Sequence, residues 1–95
     1  PTPDIFVVPQ SAETSAACRK LVAALRAAGV KADTDLTGRS VKAQFKYADK
    51  IGAKYVTVIG GSEVESKTAR VKCMADGTES AVALDTIPQF MTERI

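Results

Sequence analysis

The sequence predicts an α/β protein: a parallel sheet covered by helices, with a hairpin added at one side. Three observations predict it. The runs Ile5-Phe6-Val7-Val8 and Tyr55-Val56-Thr57-Val58-Ile59 are unbroken apolar or β-branched stretches, as strands buried on both faces require. Two segments of helical periodicity lie between them, closed by Gly29 and Gly52. After Gly60-Gly61 the pattern changes to alternation of period two.

Taken in order, the first strand is ended by Pro9. Ser11 is expected to cap the first helix, with Glu13 in its first turn favourable against the dipole. Cys18, Leu21, Val22 and Leu25 follow as one apolar stripe, and Gly29 stops the helix. Residues 30–36 read as a second, weaker strand. Thr37-Gly38 forms a turn, and Ser40 caps a second helix running to about Ile51. Gly60-Gly61, after the strongest strand, reads as a tight turn. Thr68, Arg70 and Lys72 then alternate with Ala69, Val71 and Cys73 in a half-exposed strand. Met74-Ala75-Asp76-Gly77 turns the chain, and residues 79–84 return as its partner. Asp85 is expected to cap a third helix, with Pro88 in its first turn and Ile87, Phe90 and Met91 facing inward. Short connections between the first three strands imply right-handed parallel crossovers.

Composition narrows the chemistry. A chain of 95 residues forms one domain. With no His, the serine and cysteine triads built on it are excluded, as is a zinc site of the usual spacing. Cys18 and Cys73 lie in apolar patterns and read as small hydrophobes rather than reactive or bridged thiols. Asp33 with Asp35, and Glu63 with Glu65, sit in exposed-looking turns that would not split their pKa values. No GxGxxG or GK[ST] accompanies Gly60-Gly61, so a phosphate cradle is weakly supported. No apolar run is long enough to span a bilayer and no basic-then-apolar leader opens the chain, so a soluble protein of the cytoplasm is expected, with no membrane partner. Nothing here predicts a catalytic residue.

A net charge of +2 does not by itself imply nucleic acid, but its distribution is uneven. Arg39, Lys42, Lys46 and Lys50 fall on one helical face, with Val41, Phe45 and Ala48 opposite. Like charges so stacked repel by a few tenths of a kcal/mol unless something anionic meets them. Phosphates would; a solvated surface helix, partly offset by Asp49, is the competing reading. Arg70 and Lys72 add two cations to one face of the hairpin. Glu63 follows the strongest strand, and a carboxylate beside cations can accept from a base amino or imino group; a simple turn carboxylate is the alternative.

The stretch Asp35-Leu36-Thr37-Gly38-Arg39-Ser40-Val41-Lys42-Ala43-Gln44-Phe45-Lys46-Tyr47-Ala48-Asp49-Lys50-Ile51-Gly52-Ala53 resembles the signature of the C-terminal, anticodon-binding domain of histidyl-tRNA synthetases. Leu25-Arg26-Ala27-Ala28-Gly29-Val30 and Val58-Ile59-Gly60-Gly61-Ser62-Glu63 are similar to flanking family segments, so the likeness runs from Asp4 to the final helix. The resemblance implies a three-layer α/β/α domain over residues 4–95, with a five-stranded mixed sheet, strand 4 antiparallel, and three helices. Residues 1–3 would be the end of a linker. It implies binding of the anticodon loop of tRNA-His, with Glu63 and Lys72 reaching bases, Lys46 a basic contact, and Arg39 a neighbour special to the histidyl enzymes. With Lys42 and Arg70 these form the expected RNA-binding set. ATP and Mg would serve only the catalytic domain of a parent ligase, whose motifs are absent here. That parent would be a homodimer held mainly by the catalytic body, leaving the isolated domain free to be a monomer. The alternative is a synthetase-like regulatory or protein-interaction domain of a tRNA-sensing protein.

Overall fold

A computed structural model describes residues 2–95; Pro1, the first residue of the expected linker, lies outside the described residues. The elements are β1 (Ile5–Pro9), α1 (Ser15–Ala27, entered through a 3-10 turn at Ala12–Thr14), β2 (Ala32–Thr34), α2 (Val41–Lys50), β3 (Tyr55–Ile59), α3 (Gly61–Ser66), β4 (Thr68–Cys73), β5 (Glu79–Ala83) and α4 (Ile87–Thr92, entered through a 3-10 turn at Leu84–Thr86). They form one sheet of order β2-β1-β3-β4-β5. β1 is parallel to β2 and β3, while β4 is antiparallel to both β3 and β5, so β4 alone runs against the rest.

Alternation along the strands sorts the side chains onto two faces. Ile5, Val7, Ile59, Ala69, Val71 and Val82 meet the predicted stripe of α1 and, from α4, Ile87 and Met91. Phe6, Val8 and Val56 turn the other way, against Ala48 of α2 with Val41, Phe45 and Tyr47 packed around it. Each large side chain so buried contributes about 1.5–3 kcal/mol. Phe6, the largest of them, meets Tyr47 edge-on with ring centroids 5.7 Å apart. Gly29 and Gly52 end α1 and α2 at φ of +86° and +75°, where a side chain would be strained.

Four expectations need correction. There are four helices, not three: Gly60-Gly61 opens α3 instead of a simple turn, because the Glu63 carboxylate accepts the Gly60 N–H at 2.8 Å. A helix of six residues is too short to show an apolar stripe in sequence. The second strand is only Ala32–Thr34, since Val30 is drawn back by its N–H bond to the Leu25 carbonyl and Asp35 leaves the ladder. The Ser11 side chain caps nothing; its carbonyl instead accepts the N–H and hydroxyl of Thr14 at 3.1 and 3.2 Å. Nor does Asp85 cap α4, whose approach is braced by the Thr86 hydroxyl donating to the Ala83 carbonyl at 2.9 Å. Ser40 does cap α2, its Oγ accepting from Ala43 N at 3.1 Å.

Cys18 is fully buried in the α1 core, and burial pushes its thiol up to about 11, against smaller lowering by the Arg19 charge and a hydrogen bond with Thr34. Cys73 is half-buried and also free. With iodoacetamide at pH 8 the native chain should be alkylated at Cys73, and Cys18 should react only after denaturation; mass mapping of the labelled peptides checks this.

Candidate nucleic-acid interface

α1 and α4 close one face of the sheet, whereas α2 packs over only the β1–β3 part of the other. The outward residues of β4 and β5 therefore have no helix above them. Beside α2 they bound a groove of about 450 Å³, floored by Val56 and Val58 and walled by Phe45. Glu63 of α3 and Arg70 and Lys72 of β4 line it, so three of the six expected RNA-binding residues are brought together from two elements.

Each is held differently. One carboxylate oxygen of Glu63 is fixed by the Gly60 N–H, so the second is presented in a defined orientation. Lys72 Nζ lies 5.7 Å from the centroid of the Phe45 ring. Arg70 Nη1 stands 3.6 Å from Glu79 Oε1 in an exposed pair of little energetic weight. Lys42 and Lys46 are exposed on α2, and at about 100° per residue they fall on the flank next to Phe45, along the rim of the groove. Phe45 was expected only as a core residue. Its half-burial leaves part of the ring open to the groove, which its place in an apolar stripe could not reveal.

Arg39 is not part of that rim. α2 starts at Val41, so Arg39 precedes the helix and leaves the expected stripe. Its Nε and Nη2 each lie 2.8 Å from Asp35 Oδ1, its backbone N–H meets Oδ2 at 2.9 Å, and its guanidinium lies 4.3 Å from the Tyr47 ring centroid. Asp35 is correspondingly buried, not the exposed turn carboxylate the sequence suggested. Burial opposes its ionisation, but hydrogen bonds from Thr37 and from the Arg39 side chain and backbone, with the Arg39 charge, outweigh it and hold its pKa below the usual value. The spacing of four between an Asp and an Arg was the available signal. Gln44, also unremarked in sequence, is buried and donates to the carbonyls of Pro9 at 3.0 Å and Arg39 at 2.7 Å, tying the end of β1 to this loop.

A larger hollow of about 590 Å³ opens at the amino ends of β1 and β2, between residues 29–33 and Tyr47, and includes none of the expected RNA-binding residues. The Gly60 N–H, where a phosphate would sit after β3, is already taken by the Glu63 carboxylate, which would repel it. Among the described residues no helix is long and apolar enough to cross a membrane.

Comparison with known proteins bears on this surface. The family described as anticodon binding domain matches residues 4–94. The chain is 43% identical over 93 residues to a histidine–tRNA ligase of Pelotomaculum thermopropionicum, covering 98% of this chain and 22% of the relative. It is 56% identical over 66 residues to that of Clostridium perfringens, covering 70% and 16%. It thus spans about a fifth of the length of the curated relatives it matches. Among solved structures it is similar to apo histidyl-tRNA synthetase of S. aureus, with a TM-score of 0.90 and 36% identity over 95% of this chain and 23% of that one. The RNA-binding domain of a threonyl-tRNA synthetase from Cryptosporidium parvum shares the fold, with a TM-score of 0.87 at 16% identity over 97% of this chain and 23% of that one.

Because Arg39 is 37% exposed, screening limits the strength of its pair with Asp35. Asp35→Asn should destabilise the chain by about 2 kcal/mol at pH 7. A carboxylate with a lowered folded-state pKa stabilises fully above its unfolded value of about 4, and the effect is lost as pH falls through the folded value. The gap between the two proteins in urea melts should therefore close on acidification below about pH 4.

Proposed function

Since the chain belongs to the anticodon-binding domain family, we propose that the groove between α2 and the β4–β5 hairpin holds the anticodon loop of tRNA-His, as part of a cytoplasmic histidine–tRNA ligase. The observation that carries this reading is the conjunction of a fixed carboxylate, a lysine and a half-open aromatic ring in one groove with a cationic rim. Bases stack on the ring, phosphates meet Lys42, Lys46 and Arg70, and Glu63 and Lys72 read base edges. Of the four bases only guanine places two adjacent donors, N1–H and N2–H₂, beside the O6 acceptor on its pairing edge. The free oxygen of Glu63 suits the donors and the Lys72 ammonium suits O6. The histidine anticodon GUG begins and ends in guanine. Arg39, already paired with Asp35, shapes the start of α2 rather than supplying a free cation. ATP and Mg would be used by the remaining four-fifths of such a ligase, which would also carry its homodimer contacts.

The test is titration of the chain with two anticodon stem-loops, one bearing GUG and one a scrambled triplet, at several salt concentrations. Preference for GUG is expected; equal binding would overturn the histidine assignment, and no binding would count against the isolated domain holding RNA. Lys46→Ala should weaken both RNAs and flatten the log–log salt slope by about 0.7, as loss of one phosphate contact to a single strand does. Glu63→Gln keeps an oxygen for Gly60 N–H but brings an amide donor to the base. It should cut the preference for GUG about tenfold, with the melting temperature and salt slope unchanged.

A further inference from the structure

Gln44 lines a second cleft that the groove does not use. It measures about 430 Å³ and lies at the carboxyl ends of β1 and β2, between Ser11 and Ser15 on one side and the 36–40 loop on the other. Open α/β sheets bind ligands at such ends. Gln44 is 1% exposed, and its amide can face only one way. Nε2 spends both hydrogens on the Pro9 and Arg39 carbonyls, which cannot donate, so the oxygen cannot take its place. Oε1 is left as the single buried side-chain polar atom without a partner among the described residues. Such an atom costs stability unless a donor from outside the fold meets it.

The walls say what else that donor should carry. Arg19 lines the cleft with no carboxylate within 4 Å among the described residues, so an anion is favoured beside it. Leu36, 75% exposed, offers apolar surface to a flat ring at the rim. Gln44 and Phe45 are consecutive on α2 and line different clefts, so a strand crossing this helix can offer one base to each.

We propose that this cleft is a socket for a single unpaired RNA nucleotide, its base donating an N–H to Gln44 Oε1 while its phosphate meets Arg19. The proposal rests on the RNA-binding reading above and adds a second base site to it. The socket takes its nucleotide through a donor, the groove through stacking and the Glu63–Lys72 pair.

The test is a set of GUG stem-loops, each with one loop nucleotide made abasic, titrated against the unaltered chain and against Ser15→Leu, Arg19→Ala and Phe45→Ala. Ser15→Leu fills the cleft from its wall and leaves the Gln44 hydrogen bonds in place; melting curves verify folding, and Arg19→Ala repeats the test without added bulk. One abasic position should weaken binding to the unaltered chain about fivefold to tenfold and cost nothing further in Ser15→Leu, while a different position behaves so in Phe45→Ala. If RNA binds and Phe45→Ala couples to a position but neither Ser15→Leu nor Arg19→Ala does, the socket is overturned and the groove stands, Gln44 Oε1 then being met by water alone. If no stem-loop binds, the RNA-binding reading falls and the socket with it.

Discussion

One helix cannot cover five strands. At about 4.8 Å between neighbours a five-stranded sheet is roughly 19 Å across, while a helix with its side chains is about 10–12 Å wide. On one face α1 and α4 together supply the needed width, and the buried strand residues there, Thr57 excepted, are apolar out to Val82 of β5. On the other face α2 stands alone, over β1 and β3, and the hairpin follows with no helix to lay above it. The uncovered strip must therefore be soluble in its own right, which is met by Thr68, Arg70, Lys72 and Glu79. The groove is a consequence of that shortfall: apolar at its floor where α2 ends its cover, charged where water begins.

The second constraint is the loop that delivers α2. Asp35 leaves β2, collects Thr37 and Arg39 on its two oxygens, and so fixes the chain just before the Ser40 cap. Gln44, one turn into the helix, reaches back to the same loop and to the end of β1. These polar side chains add to the apolar stripe of Val41, Phe45 and Ala48 in orienting the helix about its axis. That orientation decides that Phe45 lines the groove, with the exposed Lys42 and Lys46 on the helix flank beside it.

Much of the fold was legible because its signals are local or periodic. The runs of β1 and β3, the stripe of α1, the Ser40 cap and the alternation of β4 all announce themselves within a few residues. α3 was not legible, being six residues whose start depends on one side-chain bond, nor was the shortness of β2, which depends on where Asp35 is pulled. The candidate groove was legible in part. Lys42, Lys46, Arg70 and Lys72 were marked by charge, and Glu63 by its place after a strand. The burial of Asp35, and with it the neutralisation of Arg39, required knowing that the chain folds back between them. Gln44 and Phe45 carried no signal, because a glutamine in a basic helix and a phenylalanine in an apolar stripe have ordinary explanations.

β4 reaches its place through α3, and its pairing with β3 sets Lys72 opposite Val56 and Val71 opposite Thr57. Side chains alternate across the strand, so the groove's cations and the core's Ala69 and Val71 are the same strand read in two phases. Strand register is thus a chemical variable. A slip of β4 by one residue against β3 would act like exchanging its two basic side chains for aliphatic ones and burying the charges in their stead. A slip of two residues would preserve the phase. The burial of Ala69 and Val71 therefore fixes, from the far side of the sheet, which charges the groove receives.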